Sequence, residues 1–180
     1  MAVIAERFQA GLDEIRSSPS AEGTIELIVR RPGVEEREPV EEAELSVDAG
    51  LVGDNWLERG TRKGRDPANP LAQLTLINSR LADLVSGERE RWALAGDQLY
   101  VDFDLSADNL PPWTRLAVGS AVIEVTDEPH TGCAKFSARF GSDALRFVNS
   151  AEGRKLHLRG VNARVVEAGT VRRGDAIRKL

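Results

Sequence analysis

Cysteine and aromatic residues are scarce in this chain of 180 residues. It contains one cysteine, Cys133, and one tyrosine, and aromatic residues make up 5% of the total. A lone cysteine cannot form an intramolecular disulfide bond, which favours a reducing compartment. Few aromatic side chains argue against a surface that stacks nucleobases, and a net charge of −5 repels a phosphate backbone. We therefore expect no nucleic-acid partner.

Long hydrophobic runs are also absent. No apolar run approaches the roughly 20 residues of a membrane-spanning helix. Segment 1–18 carries Glu6, Asp13 and Glu14 and lacks a continuous apolar core, so it does not have the pattern of a signal peptide. Hydrophobic residues make up 41% and charged residues 29%, as in an ordinary globular domain. These features predict a cytoplasmic protein without membrane contact.

Strand patterns outnumber helix patterns along the chain. Runs of aliphatic and β-branched residues predict strands at 24–32, 71–78, 97–106, 115–128 and 160–180. Because no regular βαβ alternation connects them, we expect a mainly β (α+β) protein. Its predicted architecture is a mixed, mostly antiparallel, partly closed β-barrel with a few peripheral helices. Residues 1–20 are expected to form an N-terminal helix packed on the domain, and residues 21–180 the single barrel domain.

Local signals refine this prediction. Asn78 is the expected N-cap of a helix that ends at Gly87. Strand 97–106 should be half buried, because its apolar residues alternate with polar ones. The acidic run 34–44 and the basic segment 61–70 are expected at the surface. The dipeptide Gly-Asp follows or precedes predicted strands and predicts tight turns at 53–54, 96–97 and 174–175.

Cys133 lies in the segment "PHTGCAKF", where a loop leads into a helix that starts near Ala134. We expect Thr131 or Gly132 to cap this helix. A thiol at a helix start, with Lys135 close behind it, should have a lowered pKa. Free cysteines are nevertheless more often buried and inert. From the residues alone, a reactive and an inert Cys133 are equally consistent with the sequence.

Three segments in this order resemble the MOSC family, which is named for the C-terminal domain of molybdenum cofactor sulfurases. They are "AGLVGDNW" at 49–56, "LAVGSAVIEVTDEPHTGCAKF" at 116–136 and "GVNARVVEAGTVRRGD" at 160–175. The similarity covers roughly residues 40 to 176. It implies a barrel-like fold and a role in sulfur or molybdenum cofactor chemistry.

The resemblance also implies roles for particular residues. Cys133 is the position that would carry sulfur or ligate the molybdenum of a bound molybdopterin cofactor. The candidates for contact with that cofactor, chiefly with its phosphate, are His130, Thr131, Lys135, Arg139, Asn162, Arg164 and the loop bearing Arg62, Lys63 and Arg65. His130 is a candidate proton partner of Cys133, and whether it faces the thiol is left open. Asn162 is as consistent with capping a turn as with binding a ligand.

Two departures from the family pattern lie in this region. Many members have proline where this chain has Gly132, and many have Gly-Glu-Asn where it has Gly96, Asp97 and Gln98. The sequence also lacks the aminotransferase-like domain of full sulfurases. We therefore expect it to need a sulfur donor or an electron-transfer partner protein, besides a small-molecule ligand. A homodimer formed through the acidic run 34–44 is compatible with this interpretation.

Two functional hypotheses follow. In the first, Cys133 is essential to a sulfur carrier or a molybdenum cofactor-dependent oxidoreductase, which with a partner would reduce N-hydroxylated or N-oxide compounds. In the second, the chain is a non-catalytic module of the same fold that binds a small anion or a protein, and its cysteine is buried and inert.

Overall fold

The computed structural model describes residues 2–62 and 68–180, with side chains for residues 6–59 and 68–180. Its α-helices are α1 (Ala2–Arg16), α2 (Trp56–Arg62), α3 (Ser79–Ser86), α4 (Ala134–Phe140), α5 (Ser142–Asn149) and α6 (Ala151–Lys155), and two 3-10 helices span Pro70–Ala72 and Arg89–Ala95. Its strands are β1 (Glu22–Arg30), β2 (Glu38–Val40), β3 (Glu42–Ser46), β4 (Gly50–Leu51), β5 (Leu74–Asn78), β6 (Leu99–Asp102), β7 (Arg115–Val118), β8 (Ala121–Val125), β9 (Val161–Glu167), β10 (Gly169–Arg172) and β11 (Ala176–Lys179).

Seven strands form a closed barrel in the order β1-β11-β7-β8-β9-β5-β6, after which β6 returns to β1. Thr24 of β1 pairs with Ala176 of β11 on one side and with Asp102 of β6 on the other. The β5–β6 pair is parallel, because the connection through α3 returns the chain to the edge of the sheet at which β5 begins. The other barrel pairs are antiparallel. The predicted mostly antiparallel barrel with peripheral helices is confirmed, with full closure.

Apolar side chains pack on both surfaces of the barrel wall. Leu99, Val101 and Phe103 point into the barrel, whereas Tyr100 belongs to a second cluster formed with the helices outside. The prediction that strand 97–106 is half buried is therefore wrong. Tyr100 is completely buried because Trp92 stacks on it, with ring centroids 6.3 Å apart.

The predicted cap and end of α3 and the three predicted Gly-Asp turns are confirmed. The Asn78 side chain accepts a hydrogen bond from the backbone N–H of Arg80 (2.8 Å), and α3 ends at Gly87. The glycines of the three Gly-Asp turns all have left-handed backbone angles, with φ of 86°, 89° and 90° at Gly53, Gly96 and Gly174. The turn at 53–54 follows β4, the turn at 96–97 precedes β6 and the turn at 174–175 joins β10 to β11.

The remaining segments sit at the periphery. The acidic run contains β2, which pairs with β1, and the first residues of β3, which joins β10 and β4 in a separate three-stranded sheet. Helix α2 reaches Arg62, and the rest of the basic segment up to residue 67 lies outside the described residues. Helix α1 packs its Phe8, Leu12 and Ile15 into the outer cluster. The boundary at residue 20 stays a prediction. No helix in the described part of the chain is long and apolar enough to cross a bilayer.

Candidate functional site

Cys133 stands at the junction between the loop that leaves β8 and helix α4. Its backbone is extended, with φ of −124°, and its carbonyl accepts the first helical hydrogen bond from the N–H of Ser137 (3.0 Å). Cys133 is therefore itself the N-cap residue, and the expectation that Thr131 or Gly132 caps this helix is wrong. The thiol is exposed. The hypothesis of a binding module with a buried cysteine is wrong in this respect.

The loop before Cys133 is tied to helix α5 by Asn149. The N–H of Gly132 donates to Oδ1 of Asn149 (2.9 Å), and Nδ2 of Asn149 donates to the carbonyl of Gly132 (3.1 Å). A Cβ atom at position 132 would lie 2.7 Å from Cδ1 of Leu145 and 3.0 Å from Cγ2 of Val148. Position 132 thus uses both the missing side chain of glycine and its N–H, which explains why proline does not occur there.

A pocket of about 270 Å³ lies beside Cys133. We call it the cysteine pocket. Helix α4, the turn at 96–97, β5 and the segment after β1 supply its walls. Its positively charged lining residues are Arg31, Arg37, Arg59, Lys135, Arg139 and Arg159.

Three carboxylates pair with this cationic set. Asp54 forms a bidentate ion pair with Arg31 (2.8 and 2.9 Å), and Asp97 pairs with Arg159 (2.6 Å). Glu35 pairs with both Lys135 and Arg139. Six cations thus face three carboxylates, which leaves three positive charges in excess among the described residues. Such an excess favours an anionic ligand.

Unpartnered polar atoms are concentrated around the same pocket. Nε of Arg37, Nε of Arg159 and Nδ1 of His130 are buried without a hydrogen-bond partner, and all three residues line the cysteine pocket. Oδ1 of Asp97, on the carboxylate that pairs with Arg159, is also unpartnered. Buried polar groups are normally paired, because an unpaired one costs about 1–3 kcal/mol. Their grouping here marks a place where a ligand would complete the hydrogen bonding.

The thiol of Cys133 is more acidic than an ordinary cysteine. Partial burial raises its pKa. The backbone N–H groups of Phe136 and Lys135 and the charges of Arg159 and Arg139 lower the pKa by more than burial raises it, so the net pKa is lowered. The thiol makes no N-cap hydrogen bond of good geometry. The effect of the two N–H groups is therefore that of nearby dipoles.

His130 lies in the wall of the cysteine pocket, with its Nδ1 3.7 Å from Oδ1 of Asp97. Burial, together with the charges of Arg159 and Arg31, lowers the pKa of its imidazole well below 6.5. The ring is therefore neutral at physiological pH and offers one donor and one acceptor nitrogen.

A family model described as the MOSC domain matches residues 69–178, which is more than half of the chain. The chain belongs to the MOSC family. Solved structures have the same fold. YuaD from Bacillus subtilis aligns with a TM-score of 0.63 at 16% identity, over 87% of this chain and 94% of YuaD. YiiM from Escherichia coli aligns with a TM-score of 0.55 at 19% identity, over 87% of this chain and 69% of YiiM. None of the curated protein sequences matches this chain significantly.

The MOSC fold brings some of the predicted site residues together and leaves others apart. Cys133, His130, Lys135, Arg139 and Asn162 all line the cysteine pocket. Nδ2 of Asn162 donates to the carbonyls of Glu128 (3.0 Å) and Pro129 (3.3 Å), so this side chain holds the turn that carries His130.

Two predicted residues lie elsewhere. Arg164 does not reach the cysteine pocket, because its guanidinium pairs with Glu124 (2.7 Å) and lies over the Trp113 ring on the outside of the barrel. Thr131 lines a different cavity. The side chains of Arg62, Lys63 and Arg65 are outside the described residues.

That cavity has a volume of about 520 Å³ and lies between the loop after β8 and helices α5 and α6. It shares His130, Arg159 and Asn162 with the cysteine pocket, so these three side chains form a common wall. Much of its lining is aliphatic, including Leu110 and Val161. Its size is that of a small-molecule site.

Sequence reasoning missed four of the six cationic residues that line the cysteine pocket. Arg31, Arg37, Arg59 and Arg159 come from distant parts of the chain, and no local motif marks them. Asp97 had a signal, because it lies in the segment that replaces the Gly-Glu-Asn of many family members. In residues 2–62 and 68–180, no three His, Cys, Asp or Glu side chains are grouped so that they could hold a metal ion.

Proposed function

We propose that this MOSC protein binds the molybdenum cofactor in the cysteine pocket, with the Cys133 thiolate as the protein ligand of the metal. The observation that carries this proposal is the excess of three positive charges, with unpartnered donors on Arg37 and Arg159, beside an exposed thiol. MOSC domains as a family are associated with the chemistry of this cofactor.

The residues present fit such a group. Molybdopterin carries a phosphate and a pterin ring rich in hydrogen-bonding atoms. Planar guanidinium groups bind phosphate through parallel N–H donors, and Arg37, Arg59 and Arg159 supply them here. A thiol with a lowered pKa provides the thiolate that a metal requires. When bound, the cofactor supplies a centre for two-electron, oxygen-atom-transfer chemistry.

The chain's own residues would orient the ligands around that centre. Arg159 is held by Asp97 (2.6 Å) and by the carbonyl of Ala95 (2.9 Å), so its remaining Nε is directed by a rigid frame. Neutral His130 stands between the two cavities and would exchange a proton with a substrate on either side. The larger cavity would hold a small organic molecule such as an N-hydroxylated or N-oxide compound. A partner protein would deliver the two electrons for its reduction.

Metal and pterin content test this proposal directly. We would express the wild type, Cys133→Ser and Arg159→Gln in a host that makes the cofactor. Molybdenum would be measured by mass spectrometry and the oxidised pterin by fluorescence. The wild type should contain both, Cys133→Ser should lose molybdenum, and Arg159→Gln should lose both. Arg146→Gln, on the surface of α5, is the matched control and should resemble the wild type. A wild type without molybdenum and pterin would contradict the proposal.

Sulfur carriage is a second candidate, favoured by the exposure of Cys133. In this reaction the thiolate attacks the terminal sulfur of a donor persulfide. An S–S bond forms on Cys133 and the donor leaves as a thiolate, so that no external oxidant is consumed. Intact-mass measurement after incubation with a persulfide donor should show one added sulfur atom on the wild type and none on Cys133→Ser. A pocket that binds anions while showing neither activity would instead support the non-catalytic binding module.

A further inference from the structure

Residues 32–37, which lead from β1 to β2, lie against the cysteine pocket, because Arg37 lines it and Glu35 pairs with its residues Lys135 and Arg139. We call this segment the strap. Its two ends are anchored: Arg31 is buried and paired with Asp54, and Glu38 pairs with Arg30 (2.8 Å) within the β1–β2 ladder. Between these anchors the strap has little packing, since Val34 at its tip is 65% exposed.

Glu35 of the strap occupies cationic groups of the pocket. Its carboxylate pairs with Lys135 and with Arg139, which lie two and six residues after Cys133. The Glu35 backbone has φ of 61°, a left-handed conformation that is unfavourable for a residue with a side chain. The ion pairs with Lys135 and Arg139 therefore help to hold Glu35 in a conformation that it would not otherwise prefer.

Arg37, at the other end of the strap, has the opposite role. Its side chain lines the pocket, and its Nε is buried without a partner. Burial, followed by the charges of Arg139 and Arg31, lowers the pKa of its guanidinium, and the opposing charge of Glu35 does not offset these effects. The strap thus contributes one anion that already pairs with two cations of the pocket and one cation whose Nε has no partner.

We infer that Glu35 is an internal competitor of anions that bind the cysteine pocket. Its carboxylate pairs with Lys135 and Arg139 until an incoming anion displaces the carboxylate from both. The incoming anion then also pairs with Arg37. The inference deepens the proposed function by adding regulation to the same site, and it rests on that function only in assigning an anion to the pocket. Such a competitor lowers the apparent affinity for every anion that binds Lys135 and Arg139. The affinity falls in proportion to the fraction of molecules in which Glu35 has released these two residues. Neutral molecules are unaffected.

The competition should respond to salt and hardly to pH. The hydrogen bonds from Lys135 and Arg139 lower the pKa of Glu35 to about 2, so its carboxylate stays ionised throughout the physiological range. Its two ion pairs are exposed enough to be screened by dissolved ions. Added salt should therefore loosen the strap, whereas a change between neutral and mildly acidic pH should not.

Alkylation of Cys133 measures this competition without any cofactor. Iodoacetate is an anion and iodoacetamide is its neutral counterpart, and both attack the same thiolate. The ratio of their rates therefore cancels any change in the pKa of the thiol. In Glu35→Gln the iodoacetate rate divided by the iodoacetamide rate should rise about three- to tenfold over the wild type, as expected for the loss of two partly screened ion pairs. Glu36→Gln removes the same charge from the strap, but its carboxylate lies against Gly33, and its ratio should remain that of the wild type.

Inorganic phosphate provides the second measurement. It should protect Cys133 from iodoacetamide, and the concentration for half-protection should be about three- to tenfold lower in Glu35→Gln than in the wild type and Glu36→Gln. Thermal unfolding would confirm that the variants are folded. The inference is overturned if Glu35→Gln changes neither measurement, if Glu36→Gln changes them equally, or if phosphate protects none of the three proteins. Because no cofactor is involved, absence of molybdenum from the wild type would contradict the proposed function and leave this result standing.

Discussion

At the scale of single residues, Gly132 shows how an absent side chain positions its neighbour. Three contacts depend on it: its N–H and its carbonyl both bond to Asn149, and Leu145 packs where a Cβ atom would be. The side chain of the next residue, Cys133, is exposed and makes no N-cap hydrogen bond. The position of the thiol therefore depends on its neighbour's backbone.

The Gly132–Asn149 pair predicts a non-additive double-mutant cycle. Gly132→Pro removes the N–H and introduces a clash, and Asn149→Ala removes both hydrogen bonds. Each should lower the free energy of unfolding by about 1–3 kcal/mol. The double variant should lose clearly less than the sum, because both changes remove the same bond. Urea denaturation measures all four proteins, and additive losses would show that the two residues do not depend on each other.

The acidity of the thiol is a second prediction at this scale. Because the charge of Arg139 lowers the pKa of Cys133, Arg139→Gln should raise it. The alkylation rate with iodoacetamide, followed against pH, should shift its midpoint to higher pH, and the rate near neutral pH should fall. Arg146→Gln has the same charge change outside the pocket lining and should leave the midpoint in place.

At the scale of elements, the loop from β8 to α4 separates two cavities of different chemistry. Its His130 and the adjoining Arg159 and Asn162 face a cationic pocket on one side and a partly aliphatic cavity on the other. Asn162 on β9 fixes the loop by bonding the carbonyls of Glu128 and Pro129. The short loop can therefore separate the two cavities because its position is fixed by hydrogen bonds from strand β9.

This placement predicts how stability depends on pH. Since burial lowers the pKa of folded His130 well below its ordinary value of 6.5, the unfolded chain binds a proton that the folded chain excludes. Stability should therefore decrease as pH falls below about 6.5, by at most about 1.4 kcal/mol per pH unit from this group. His130→Gln should lack this contribution in urea denaturation at several pH values. His157→Gln, whose ring contacts the carbonyl of Leu105, is the control and should keep it. An unchanged slope in His130→Gln would contradict the assignment.

The elements also show what the sequence could predict. The cap at Asn78, the helix end at Gly87 and the Gly-Asp turn at 174–175 depend on neighbouring residues, and their local patterns were sufficient. The cysteine pocket depends on residues such as Arg31 and Arg159, which are far apart in sequence and meet only when the barrel forms. Arg164 was a candidate because the resemblance implies basic side chains around a phosphate, but Glu124 on the adjacent strand holds it elsewhere. The sequence gives the charge of a residue but does not show which residue it pairs with in the folded protein.

At the scale of the whole molecule, the pairing of β1 with β11 closes the barrel. Ile177 is completely buried in the interior, opposite Gly23 of β1 and Val118 of β7. It therefore joins the two strands on either side of the seam. The walls of the cysteine pocket come from both halves of the chain, so a stable seam also keeps the pocket together.

Truncation at the seam should be costly. Ile177→Ala should lower the free energy of unfolding by about 2–5 kcal/mol, because it leaves a cavity between three strands. Arg178→Ala changes the exposed neighbour on the same strand and should alter stability by no more than about 0.5 kcal/mol. Urea denaturation distinguishes the two, and similar effects would mean that the seam contributes little to the barrel.

The seam has a further consequence for how the protein is made. Residues 22–24 pair with residues 176–178, so the barrel cannot close until that distant strand has left the ribosome. Until then β1 and β7 keep open edges, and such edges are the sites where nascent chains associate wrongly. β1 pairs with β6 and β2 much earlier in synthesis. We therefore expect the growing chain to contain a partly folded sheet whose β1 edge is still unpaired. A chaperone that covers this edge should increase the yield of folded protein.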